Sequence, residues 1–160
     1  MDYYDDLITQ RGDTEASATI ADEARKLRRR LSLIRVIAAS AAARESCMRG
    51  LPAPPSTWHF AQGWCALMRE MRMARAMDGP LPLDAVRMIA SGSSIDEPQP
   101  VILSAGLLLS RIQHGFIPPD PCPSEAYERG WQAACQALRD SHEARLLVEA
   151  LAEAREVPES

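Results

Sequence analysis

A chain of 160 residues, 46% hydrophobic and 25% charged with a net charge of −4, falls in the range of one folded domain and outside that of a disordered chain. Its balance argues against a nucleic-acid binder that works by bulk positive charge. No apolar run approaches the roughly 20 residues of a membrane span, since the longest, Val101 to Leu109, is closed by Arg111. The four cysteines, Cys47, Cys65, Cys122 and Cys135, form no CxxC pair, and the amino terminus carries no secretory pattern, so reduced thiols in a cytoplasmic protein are expected. Ala, Leu and Met dominate the apolar residues, whereas β-branched and aromatic residues are sparse, which favours helix throughout. The expected fold class is all-α: an irregular bundle of about five helices with long first and last helices.

Residues 1–12 are acidic, with Tyr3, Tyr4, Asp5 and Asp6 in sequence and no sustained period, and read as an N-terminal tail, either a frayed terminus or a docking segment. A single helical domain is expected over 13–156, with 157–160 as a C-terminal tail. The first helix is expected to start at Asp13 or Thr14, which suit an N-cap, and to run to Arg49 before Gly50 and Pro52. Ile20, Ala24, Leu27, Leu31, Ile34, Ala38 and Ala41 alternate at spacings of four and three, a continuous seam along it. Leu33, Val36 and Ile37 widen the apolar surface in the second half, so that end should be buried on more than one side. A helix of this extent spans about 54 Å, longer than a compact domain of about 40 Å. It should protrude or bend, and its seam calls for a second copy of the chain. Leu27, Leu31 and Ile34 are the expected self-association contacts. An antiparallel arrangement is favoured, because it brings Asp13, Glu15, Asp22 and Glu23 towards the partner's arginines.

After LPAPP, Ser56 or Thr57 can cap a second helix carrying Phe60, Trp64, Leu67, Met71 and Ala74, ended by Gly79 and Pro80. A short helix is expected over 82–91, and a fourth from about Asp96. The fourth is apolar on most faces, with Ser104, Ala105 and Gly106 offering close approach, and is expected at the centre of the bundle. The segment GFIPPDPCP holds four prolines and must be extended. From Ser124, Tyr127, Trp131, Ala134 and Leu138 form one stripe, while Leu147, Leu151 and Ala154 lie on a rotated face. Asp140 with Glu143 fits a D-x-x-E cap, so this last tract is one bent helix or two helices. The chain reads without an internal repeat or a low-complexity tract.

Charge is polarised. Residues 25–49 hold eight basic residues against Glu45 alone, and residues 123–160 hold eight acidic against four basic. Arg25, Lys26, Arg28, Arg29, Arg30 and Arg35 on the first helix, with Arg69, Arg72 and Arg75 on the second, form a candidate partner-binding basic surface, joined if the two helices pack side by side. A solvated face paired to Asp22 is the plain alternative. An acidic surface, either the final helix or a protein partner, is the favoured contact. Nucleic acid is second, because no aromatic residue is interleaved with either row.

Catalytic templates find no support. His59, His114, His142 and the cysteines have no zinc spacing, no ExxH or HExxH occurs, and there is no Gly-rich phosphate loop. A helix-turn-helix over 83–109 fails because its second helix would offer apolar side chains to base edges. Met68, Met71, Met73 and Met77 suit an adaptable surface or, beside Phe60 and Trp64, a core. Neither metal, cofactor nor catalytic residue is assigned. The expectation is a non-enzymatic helical interaction protein: an adaptor, chaperone, assembly factor or inhibitor of a larger machine, self-associating. A nucleic-acid accessory protein acting through the Arg-rich first helix is the alternative, and an enzyme whose site is assembled from distant residues ranks third.

Overall fold

The computed structural model describes residues 3–74, 87 and 99–156, with only the backbone of residues 3–15 and 99. Five helices follow in order among them: α1 (Tyr3–Arg49), α2 (Trp58–Met73), α3 (Gln99–His114), α4 (Glu125–Arg139) and α5 (His142–Glu156), and the described residues contain no strand. The short helix expected over 82–91 lies outside the described residues, save Arg87, and α2 ends at Met73, short of the stop expected at Gly79 and Pro80, because Ala74 turns to an extended conformation with φ −68° and ψ 138°.

α1 begins at Tyr3, ten residues before the expected onset, so residues 3–12 are helical backbone rather than an irregular tail. No proline interrupts residues 3–49, and Gly12 alone costs about 1 kcal/mol in a helix interior, too little to stop a helix that continues on both sides. At 47 residues it spans about 70 Å. Residues 16–31 contain no buried position. Burial starts at Ser32 and continues through Leu33, Val36, Ile37, Ala39, Ser40, Ala43, Ser46 and Cys47, a broad face packed chiefly on α5 and α3. The second half of α1 therefore sits in the bundle as expected, and the first half projects from it.

The last tract is two helices: α4 ends at Arg139 and α5 starts at His142. Ser141, not Asp140, caps α5, its Oγ accepting from the Ala144 N–H at 3.3 Å. The last helix is accordingly short, 15 residues, and only the first is long. α3 does not occupy the centre. Ala105, Leu108 and Ile112 are buried, but Leu103 and Leu107 are 64% and 65% exposed, and a Cβ at Gly106 would meet nothing within 4 Å. The centre lies instead where α2 crosses α4.

That crossing exposes a repeat that a fixed period hides. A Cβ on Gly63 would fall 1.9 Å from the Tyr127 carbonyl oxygen, and one on Gly130 would fall 2.0 Å from that of Phe60. Each glycine thus lets the backbone of the other helix touch it. Each precedes a buried tryptophan. Trp64 Nε1 donates to the Leu51 carbonyl at 2.7 Å, and Trp131 Nε1 donates to that of Phe116 at 2.8 Å. Leu51 and Phe116 both follow a glycine with positive φ, Gly50 at 77° and Gly115 at 62°, the left-handed conformation that closes a helix end. The N–H groups of Gly50 and Gly115 close the preceding helices by donating to the Ser46 and Arg111 carbonyls, each at 2.9 Å. Phe60 stacks on Trp64 as Tyr127 does on Trp131. The end of α1 with α2, and α3 with α4, are two copies of one helix, glycine, proline-rich linker, helix unit, facing each other about a pseudo-two-fold axis. Val36, Ala43 and Cys47 of α1 are matched by Val101, Leu108 and Ile112 of α3. A two-residue difference in linker length shifts the offset from 65 before the linker to 67 after it.

Candidate functional site

The basic residues fall on separate surfaces. On the projecting half of α1, Arg25 pairs with Asp22 at 3.6 Å, and Lys26 with Asp22 at 3.2 Å and Glu23 at 3.8 Å. Such exposed pairs stabilise a helix by a few tenths of a kcal/mol. Arg28, Arg29 and Arg30 have no ion pair among the described residues. Arg35 bonds Glu153 of α5, so one member of the row does meet the acidic final helix. Arg69 and Arg72 are exposed on α2, and Arg75 lies outside the described residues. The two rows do not join. A Cβ at Gly50 would lie 3.7 Å from the Met68 Cβ, while residue 30 is about 30 Å further along α1, so Arg69 is remote from Arg30.

The seam also separates from the core. Val36, Ala43 and Cys47 face the bundle, whereas Leu27 and Leu31, half a turn round the helix from that line, are 57% and 45% exposed. Ile20, at 69%, continues the line outward. Of the three expected self-association residues, Ile34 differs. It is half-buried against the small Leu33 and Ile37 cluster that Val101 and Ile102 of α3 complete. Tyr3, Tyr4, Asp5 and Asp6 form the first turns of α1, far from the bundle.

A shallow groove of about 520 Å³ lies along the outer side of the α2/α4 crossing, lined among others by Trp58, Ala61, Cys65, Arg69 and Tyr127. Trp58 is 73% exposed. Sequence reasoning missed this surface, because it followed the Phe60, Trp64, Leu67 stripe and Trp58 lies off it. The spacing of Trp58, Ala61 and Cys65 by three and four, a second stripe on α2, was the available signal.

Among the described residues, His, Cys, Asp and Glu side chains do not converge. No cluster of three or more His, Cys, Asp or Glu side chains that could hold a metal occurs among the described residues. His59, His114 and His142 are exposed on different helices. Burial, then the negative charge of Glu143, pushes the Cys47 thiol up to about 12, so it is protonated at neutral pH. Desolvation, then Glu128 and Asp120, also raises Cys122, whose Sγ lies 3.1 Å from the Pro119 carbonyl oxygen. No described helix is long and apolar enough to cross a membrane. Comparison of the chain with protein-family models, curated proteins and solved structures finds no match.

Proposed function

We propose that the protein is a non-enzymatic helical interaction module, an adaptor, chaperone, assembly factor or inhibitor, that self-associates through the projecting half of α1. The observation that carries this reading is the exposure of Ile20, Leu27 and Leu31 on the side of α1 opposite the core, along a stretch with no buried residue. An unsupported helix of about thirty residues is only marginally stable in water, and its few ion pairs do not change that. A second copy laid antiparallel gives it a partner. With Ala24 opposite the partner's Leu27, Ile20 meets the partner's Leu31, and Glu23 comes beside the partner's Arg30, so hydrophobic and charge patterns match in one register. A parallel pair would instead align Arg28, Arg29 and Arg30 with themselves.

Light scattering tests this on the wild type and on Leu27→Glu/Leu31→Glu. Burying one leucine side chain stabilises by roughly 1.5–3 kcal/mol, so the double variant should be a monomer where the wild type, at tens of micromolar, is a dimer. Both residues are exposed in the single chain, so the variant should keep its thermal transition. A monomeric wild type, or a double variant that unfolds, overturns the reading. The competing assignment to nucleic acid rests on Arg28, Arg29 and Arg30, which make no ion pair among the described residues. It predicts salt-dependent binding to random duplex, lost in Arg28→Glu/Arg29→Glu.

A further inference from the structure

The two repeats agree where they face each other and disagree where they face out. On α4, the first-turn and outward positions are Glu125, Glu128, Arg129, Gln132 and Gln136, the side chains that a solvated helix face requires. The positions that correspond on α2 are Trp58, Ala61, Gln62, Cys65 and Arg69. Packing does not explain the exchange, since Trp58 and Cys65 are both exposed. One copy of the face presents a water-facing surface, and the other presents an apolar groove.

The ends of the helices diverge in the same direction. Ser124 caps α4 by accepting from the Tyr127 N–H at 3.1 Å, and Glu125 and Glu128 lie in its first turn. Thr57, its counterpart, makes no side-chain cap bond, and the first turn of α2 has no acidic residue. The N-terminal end of α2 therefore keeps its positive partial charge uncompensated, beside Trp58. At the other end of the groove stands Arg69, with Arg72 one turn on, and no carboxylate is among the groove's lining residues. From Trp58 to Arg69 the groove follows α2 for about 16 Å, three turns.

We propose that this groove docks an acidic amphipathic helix of a protein partner. Three turns match a row of apolar anchors at i, i+3 or i+4 and i+7, which would cover Trp58, Ala61 and Cys65, and acids flanking that row would meet Arg69, Arg72 and the start of α2. The site uses no residue of α1, and it stands or falls separately from self-association.

The probe is a synthetic amphipathic helix of about fifteen residues, with leucines at that spacing and glutamates on the flanks, beside a companion with lysines on the flanks. It is titrated into the full chain and into Leu27→Glu/Leu31→Glu. Trp58 reports by its emission, read as the difference from Trp58→Phe, because Trp64 and Trp131 are buried. Cys65 reports by its alkylation rate in a Cys122→Ser background, because Cys47 and Cys135 are buried. The glutamate peptide should saturate, shift Trp58 emission to the blue and slow Cys65 alkylation. The lysine peptide should bind roughly tenfold more weakly, and Arg69→Glu/Arg72→Glu should invert that preference. Absence of saturation, equal binding of both peptides, or equal protection of a thiol placed on the corresponding α4 face by Gln132→Cys would overturn the proposal.

Discussion

The end of α1 with α2, and α3 with α4, share an inner design and differ in their outer one. Both halves close a helix on a left-handed glycine, anchor the next helix by a tryptophan N–H on the following carbonyl, and cross through a bare glycine backbone. These features are set by close packing and by backbone hydrogen bonds, in which a change of one methyl group is felt. Outward positions have no such constraint, and there the halves read Trp58 against Glu125 and Cys65 against Gln132. The comparison separates what the fold needs from what a surface is free to acquire.

The two halves depend most on their shared design at the crossing. Gly63→Ala and Gly130→Ala each place a methyl group about 2 Å from a backbone carbonyl oxygen, which cannot rotate away as a side chain can. Each should cost about 3 kcal/mol or more, beyond the roughly 1 kcal/mol that alanine returns in helix propensity, and lower the melting temperature by about 10 °C. The two losses should be equal, as measured by thermal or urea unfolding. A loss at one glycine alone would show that the axis is not a real symmetry of the packing.

A chemical difference between the halves is next in size. Cys47 in the first corresponds to Ile112 in the second, and only the thiol titrates. Its pKa is raised in the folded state to about 12, above an ordinary value of about 8.5–9, so the folded chain holds that proton more tightly than the unfolded chain. The stability due to the neutral thiol is complete below about pH 8.5 and is lost as pH rises towards 12, by at most about 1.4 kcal/mol per pH unit. Urea unfolding between pH 8 and 11 should show this decline. Cys47→Val, which makes the first half resemble the second, should flatten it, and a decline unchanged in the variant would assign it elsewhere.

Much of this was legible in the sequence, and the remainder failed for identifiable reasons. Four-three spacing located α2 and α4 through Phe60, Trp64 and Leu67, and through Tyr127, Trp131 and Leu138, because their buried stripes face one neighbour. It also found both apolar lines on α1, but gave the longer one, Ile20 to Ala41, no sign that it points away from the bundle. Periodicity reports a face and not what covers it. The placement of α3 failed similarly: its apolar residues surround the helix, yet Leu103 and Leu107 are exposed. The repeat escaped because few identities carry it, chiefly the Gly-Trp pairs and the helix-closing glycines, and because the linkers differ in length. The groove was hidden although Trp58, Ala61 and Cys65 share one face of α2 at spacings of three and four, because that stripe is short and the stronger Phe60, Trp64, Leu67 stripe lies beside it.

A finer difference lies within a feature that the two halves share. Gly50 and Gly115 both have positive φ, so an alanine at either is strained by about 1 kcal/mol. Their surroundings differ. A Cβ at Gly50 would rest in ordinary contact with Met68, 3.7 Å from its Cβ, whereas one at Gly115 would meet the Cys135 sulfur at 3.0 Å. Met68 and Cys135 occupy the same place in the two repeats, so this inequality is a property of the side chain and not of the backbone. Gly115→Ala should therefore cost more than Gly50→Ala by a margin that Cys135→Ala removes, since the smaller residue withdraws the sulfur. Urea unfolding of Gly115→Ala, Cys135→Ala and the double variant measures that coupling as a cycle. Zero coupling would mean that the turn after α3 yields where the turn after α1 does not, and that the halves differ in rigidity as well as in surface.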